Sequence, residues 1–375
     1  MSISIHLSFP FQNTSEDLIL IYKPGVAMQR FPSRALSAAF LSVLLTAFAC
    51  TRVVYDDELF VMPDGRYDSE FPHKNGSTEL ADILESVKMI NSIAYYIGYN
   101  FSEVSDVKEI SESALSKANH VFYFNETSAG TATIIYNYRN RLALLTCEHI
   151  VTFPDTIITF YENTDRISTV SFLRRQTNYV NGIPDGSDLE VIISNKTYDL
   201  ALIGREKESN AYLPVFSYPL GEAKKLEWGS FVYLMGYPKG NKMITRGIVS
   251  SPNRNKEDHS FLVDALFNKG FSGGLILALK DGVPNFELVG IAKSVSADYN
   301  LLLTPEKNYS RNKIEMNLPY TGDLFVEERS TISYGITNTT SIESIQRFLT
   351  ANRLRLEELG YEFPYFFKSV IPNSR

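Results

Sequence analysis

The chain has 375 residues, 44% of them hydrophobic and 13% aromatic, which is enough to bury the core of a two-lobed domain and too apolar for a disordered chain. Tyr and Phe, 22 and 24, far outnumber the single Trp, a balance that suits strands packed face to face. A formal net charge of −7 sets nucleic acid aside as a partner, because phosphate binding needs clustered Lys and Arg.

Residues 1–27 precede Met28-Gln29-Arg30, which opens an ordinary basic start to a secretory signal, so translation from Met28 is the expectation and 1–27 would not be translated. Ala35 to Cys50, ALSAAFLSVLLTAFAC, supplies the apolar run. It is short of the roughly 20 residues a bilayer span needs, and it reads as a signal over 28–50. Its ending, Ala47-Phe48-Ala49-Cys50, resembles the lipobox of bacterial lipoproteins, with Phe48 departing from the usual small residue. That resemblance implies diacylation of Cys50 and a lipid anchor in the membrane; ordinary cleavage nearby and an uncleaved anchor stay open. All three export the chain. The only other cysteine is Cys147, so no disulfide framework exists and a bacterial envelope protein is favoured over a secreted animal one.

Residues 51–117 read as a tether and helical prefix. The polar stretch to Gly76 is expected to carry little order. Ser77 is placed as the cap of a helix bearing Leu80, Ile83, Leu84, Val87, Ile90 and Ile97 at helical spacing. From about Ala118 the pattern turns to short β-branched and aromatic runs: HVFYF, TATIIYNY, RLALLTC, TIITFYE, LEVIIS and DLALIG. A second set follows Trp228: SFVYLMGYP, MITRGIVSS, SFLVDAL, GGLILALK and FELVGIAKSV. Two sets of about six strands predict two barrels over 118–358. Between Ser296 and Ser330 a polar segment reads as a surface excursion before the strand TISYGIT. Thr340 with Glu343 forms a capping-box pattern for a last helix with Ile342, Ile345, Phe348 and Leu349 on one face. Residues 359–375 read as a tail.

Three segments carry chemistry. A buried strand ends in Thr146-Cys147-Glu148-His149, an apolar strand opens with Asp199-Leu200-Ala201-Leu202, and Asn268-Lys269-Gly270-Phe271-Ser272-Gly273-Gly274 leads into LILAL. Taken singly, a strand-end His is most often structural, such an Asp most often caps a turn, and a glycine run marks a bend. Their occurrence together, in the order His, Asp, Ser and each at a strand end, points to a nucleophilic serine activated by an imidazole. The amides of Gly270 and Ser272 are then candidates for the oxyanion hole. Cys147, two residues before the His, is read as a small buried side chain.

Thr-x-x-His, Asp-Leu-Ala-Leu and Gly-x-Ser-Gly-Gly resemble the triad segments of trypsin-like serine proteases. The resemblance extends to the HtrA/Deg branch through Ser128–Ala132, the run Trp228–Pro238, Thr245–Ser250, Gly290-Ile291 and Ser333–Thr337. It covers about residues 118–355. It implies a mainly β fold, a double β-barrel of chymotrypsin type with a helical prefix and a C-terminal helix. It also implies a serine endopeptidase acting on protein or peptide substrates without metal or organic cofactor, with His149, Asp199 and Ser272 as the triad. Leu266 occupies the position matching the pocket floor and offers no charge, so cleavage after apolar aliphatic residues is expected, with Lys293 near the pocket wall. Phe271 stands where the family carries Asp or Asn, so no ion pair to a new amino terminus is expected, nor is a PDZ domain expected after the last helix. A catalytically silent homologue that binds surface proteins is the alternative.

Overall fold

The computed structural model describes residues 63–367 apart from 185–187, 208–211, 254–255, 306–319 and 321. The expectations for residues 1–27, the 28–50 signal and lipidation at Cys50 lie outside the described residues. Among the described residues no helix is long and apolar enough to cross a membrane.

The chain opens with helix α1 (Ser77–Ser86) and runs directly into strand β1 (Val87–Asn100). The expected long helix therefore stops at Ser86, and Val87, Ile90 and Ile97 are strand residues. The reason is local: VKMINSIAYYIGYN is dense in Ile and Tyr, whose crowding favours a pleated strand, and from Ile90 onward burial alternates with the period of two that a strand dictates. Nor does Ser77 cap the helix. Gly76 holds the cap position, and Asn75 Oδ1 accepts from the Ser77 amide at 2.9 Å. The expected loose tether is also docked: the Asp64 and Gly65 amides donate to Asp281 Oδ1 at 2.7 and 2.8 Å, and Asp68 exchanges backbone hydrogen bonds with Leu279 and Phe231.

After the one-turn helix α2 (Glu112–Leu115) come β2 (His120–Tyr138), β3 (Arg141–Thr146), the short helix α3 (Glu148–Val151), β4 (Thr156–Phe160), β5 (Ile167–Val180), β6 (Glu190–Asn195) and β7 (Leu200–Glu206). With β1 they form a seven-stranded sheet in the order β4-β5-β1-β2-β3-β7-β6. Strand β1 is central, paired on one edge to β2 and on the other to β5. The 51–117 prefix thus supplies a strand to the sheet built by the residues after 118. The sheet curls on itself, since the end of β5 meets the approach to β6: Asn178 accepts from the Leu189 amide at 2.9 Å and donates its side-chain amide to the Leu189 carbonyl at 2.8 Å.

The second half is a closed barrel of β8 (Phe231–Gly236), β9 (Met243–Ser251), β10 (Leu262–Ala265), β11 (Leu275–Leu279), β12 (Phe286–Thr304) and β13 (Phe325–Ser341), in the order β10-β13-β12-β11-β8-β9. Closure removes the sheet edges. The segment expected as an excursion over 296–330 has β-paired arms: β12 and β13 continue as a ribbon from Ala297↔Ile332 to Thr304↔Phe325. Helices α4 (Ile342–Ala351), α5 (Arg353–Glu358) and α6 (Pro364–Phe367) end the described chain. Ile342, Ile345, Phe348 and Leu349 are buried as their spacing predicts, but the cap is Ser341, whose hydroxyl accepts from Ser344 at 3.2 Å. Glu343 instead accepts from the Lys224 amide at 3.1 Å. The described part of the expected tail, to Phe367, is packed as well, with Tyr361, Phe363 and Phe366 buried. The architecture is mainly β, a double β-barrel of chymotrypsin type with a C-terminal helix.

Candidate active site

Strand β3, buried from Leu142 to Thr146, delivers Cys147 as the cap of α3, and His149 lies in that single turn. The β6–β7 connection places Asp199 in the left-handed region at φ +54°, a conformation Asp tolerates better than most side chains. The turn is held from within, by Asn195 Oδ1 accepting from the Tyr198 amide at 2.9 Å, and from the second barrel, by Thr340 Oγ1 donating to the Tyr198 carbonyl at 2.8 Å.

These two elements bring His149 and Asp199 together. The His149 amide donates to Asp199 Oδ1 at 3.0 Å, and the ring Nδ1 lies 3.0 and 2.8 Å from Oδ1 and Oδ2. A carboxylate only accepts, so Nδ1 carries a proton, and in the neutral ring Nε2 then keeps its lone pair. The Asp199 side chain is 7% exposed and that of His149 44%. The carboxylate is therefore inside and the ring faces outward.

Ser272 arrives from the loop between β10 and β11. Its carbonyl accepts from the Thr131 amide at 2.8 Å, and the Gly273 amide donates to the Ala292 carbonyl at 2.8 Å. Two glycines allow the approach. A Cβ on Gly130 would lie 2.3 Å from Ile150 Cδ1 and 2.9 Å from the Ser272 carbonyl, so Gly130 is pressed between the neighbour of His149 and the serine itself. A Cβ on Gly273 would lie 2.1 Å from the Thr131 carbonyl and 2.9 Å from Thr146 Oγ1, and its φ of +82° is a glycine conformation. Among the described residues the Ser272 hydroxyl makes no hydrogen bond to the His149 ring. Such bonds are often long without substrate and tighten when it binds.

Within the loop, the Lys269 carbonyl accepts from the Lys239 amide at 3.0 Å, the Phe271 amide donates to Asn268 at 3.1 Å, and the Phe271 carbonyl accepts from Gly274 at 2.7 Å. Among the described residues the Gly270 and Ser272 amides donate to nothing. The Phe271 side chain is fully buried, 5.9 Å from the Phe267 ring. An apolar plug therefore anchors the loop at the position where an acidic or amide residue was the family's pattern.

Cys147 Sγ donates to the Ala292 carbonyl at 3.5 Å. Burial pushes its thiol well above the ordinary range, the Asp199 charge adds to this, and the Lys293 charge opposes it. Donor atoms of Cys147, His149 and Asp199 lie within 4.8 Å of one another. A metal there would have to deprotonate that thiol and displace the Asp199–His149 hydrogen bonds, so the trio fits a partly buried hydrogen-bonded cluster better than a coordination site.

The two residues assigned to substrate choice are not gathered into one described cavity. Leu266 is 68% exposed beyond the end of β10. Lys293 lines a cavity of about 190 Å³ with Tyr198, Asp258, Ser294 and Thr340, on the Tyr198 side of the aspartate turn. A second cavity, of about 480 Å³, lies between Tyr67, Lys224 and His259 and has none of the three candidate catalytic residues in its lining. Thr131 was not singled out in the sequence as a contributor to the site, and Thr146 entered only as the first residue of Thr-x-x-His. The only signal for Thr131 was its place in Ser128–Ala132.

Two β-barrels, with the candidate histidine and aspartate on one and the candidate serine on the other, define the class of chymotrypsin-type serine proteases. Residues 130–291 match the family described as the trypsin-like peptidase domain, so the chain carries a segment of that domain type. No curated protein matches. Among solved structures it is similar to an HtrA-type protease, AlgW with tripeptide, at 17% identity and a TM-score of 0.39 over 77% of this chain and 65% of that one. It is also similar to Deg5, at 16% identity and a TM-score of 0.33 over 58% of this chain and 83% of that one. The chain thus spans just under two thirds of the AlgW chain.

Proposed function

We propose that the protein is a serine endopeptidase in which His149, Asp199 and Ser272 form the triad and the Gly270 and Ser272 amides form the oxyanion hole. Asp199 holds the Nδ1–H tautomer of His149. Nε2 then takes the proton of Ser272 as its oxygen attacks a peptide carbonyl, an acyl-enzyme forms, and the imidazolium returns the proton to the leaving amine. The two amides stabilise the oxygen that becomes negative. The observation that carries this reading is the Asp199 carboxylate accepting from both the backbone and the ring of His149, beside a glycine pressed between Ile150 and Ser272.

Cleavage after apolar aliphatic residues, with Leu266 at the pocket floor and Lys293 at its wall, belongs to the same proposal, as do export to a bacterial envelope and lipid attachment at Cys50. The test is labelling by a fluorophosphonate. Rapid labelling of the wild-type chain at Ser272, lost in Ser272→Ala, supports the peptidase. A wild-type chain that labels no faster than Ser272→Ala removes it. A peptide library cut after Arg or Lys would remove the specificity proposal alone. The silent-homologue reading is favoured by one observation, the absence of a Ser272–His149 hydrogen bond among the described residues, and it predicts no labelling.

A further inference from the structure

The serine loop is pinned from the other barrel by one side chain. Thr131, fully buried on β2 beside Gly130, commits every polar atom to the surroundings of Ser272. Its amide donates to the Ser272 carbonyl at 2.8 Å. Its hydroxyl donates to the Gly270 carbonyl at 2.7 Å and accepts from the Tyr237 amide at 2.9 Å. Its carbonyl accepts from Thr146 Oγ1 at 2.8 Å, three residues before His149.

We infer that Thr131 is a positioning residue, its hydroxyl holding the Gly270–Phe271 peptide so that the amides of Gly270 and Ser272 face the cleft in the resting protein. The inference rests on the peptidase reading and adds to it the device that keeps the hole formed. Gly270 sits at φ +110° and, having no Cβ, meets little torsional resistance to swinging its carbonyl round. The Lys269 and Phe271 carbonyls are held by backbone amides of their own barrel. The Gly270 carbonyl is held by a side chain from the other barrel, and the same hydroxyl fixes Tyr237, at the mouth of the turn that holds Lys269. A single hydroxyl thereby restrains both sides of the loop, and the Thr131 carbonyl ties the residue, through Thr146, to the strand that leads to His149.

The test uses the whole chain and a fluorophosphonate probe, resolving the maximal labelling rate from the half-saturating concentration. Thr131→Val keeps the shape and removes the hydroxyl; Thr131→Ser restores it. Losing an oxyanion donor outright costs about 10²–10³ in rate, so loosening one is expected to lower the maximal rate of Thr131→Val by about ten- to a hundredfold, with the half-saturating concentration unchanged. Thr131→Ser is expected within about threefold of wild type, and all three chains are to be compared at a temperature where circular dichroism shows them folded. Wild-type labelling with Thr131→Val equally fast overturns the clamp alone. So does a Thr131→Ser chain as slow as Thr131→Val, since the hydroxyl would then not be the cause. A wild-type chain that does not label overturns the peptidase reading and this one with it.

Discussion

Asp199 and Cys147 sit side by side yet carry different consequences. In Asp199→Asn the side-chain NH₂ would donate to Nδ1, move the ring proton to Nε2 and remove the lone pair that accepts from Ser272. Fluorophosphonate labelling is expected to fall by up to about 10⁴-fold, the loss known for this substitution in a triad of the same type. Labelling at the wild-type rate would show that Asp199 does not set the tautomer. Cys147 acts on stability. Its thiol value is raised in the fold by burial, so its contribution is fully present below the unfolded thiol's value of about 8.5 and is lost as pH rises above it towards the folded value. The thermal midpoint of the wild-type chain is therefore expected to drop further between pH 7 and pH 10 than that of Cys147→Ser, whose hydroxyl does not titrate there. Equal drops would count against it. His149, Asp199 and Ser272 could be chosen as candidates from the sequence because each stands near the end of a strand beside a distinctive neighbour, and the structure pairs the first two by hydrogen bonds. Thr131 could not be, because a threonine in a β-rich run is ordinary and its partners, Gly270 and Tyr237, lie more than a hundred residues away.

Strands β1 and β5 show where periodicity misled. In β1 the apolar positions Val87, Ile90 and Ile97 also fall on a helical repeat, and α1 runs into them without a break. Only the excess of Ile and Tyr marks the change of period. In β5, Arg174-Arg175-Gln176 interrupts the apolar pattern on an outward-facing stretch, so the strand did not stand out. Strands with dense apolar cores, such as the fully buried LILAL of β11, were readable, whereas the polar arms of β12 and β13 were read as an excursion. The position of β1 has a measurable consequence. A chain starting at Ala118 would keep both candidate catalytic barrels by sequence yet expose the paired edges of β2 and β5 that β1 covers. It is expected to lack a cooperative thermal transition, whereas a chain starting at Pro63 melts cooperatively. Cooperative melting of the shorter chain would mean that β1 is an addition to the sheet rather than part of its core.

Across the whole molecule, the segment read as a tail closes the structure. It leaves α4, whose apolar face lies in the common core, and returns to the first sheet. There the Tyr136 hydroxyl donates to the Gly360 carbonyl at 3.3 Å, Arg141 lies 5.6 Å over the Tyr361 ring, and Phe363 packs 5.2 Å from Tyr136. At its end the Tyr365 hydroxyl donates to the Tyr218 carbonyl, in the linker between the barrels. Burial of these rings ties the end of the described chain to the first sheet through apolar area. Phe363 is the ring at its centre, since Tyr136, Tyr361 and Phe366 all lie within 6.4 Å of it. Phe363→Ala is expected to cost about 3–5 kcal/mol in urea unfolding, and its labelling rate at low temperature should match wild type because its ring neighbours Tyr136, Tyr361 and Phe366 are not candidate site residues. A stability loss under 1 kcal/mol would show that the segment merely rests on the sheet. A slowed labelling rate in the folded variant would show instead that the closure reaches the cleft.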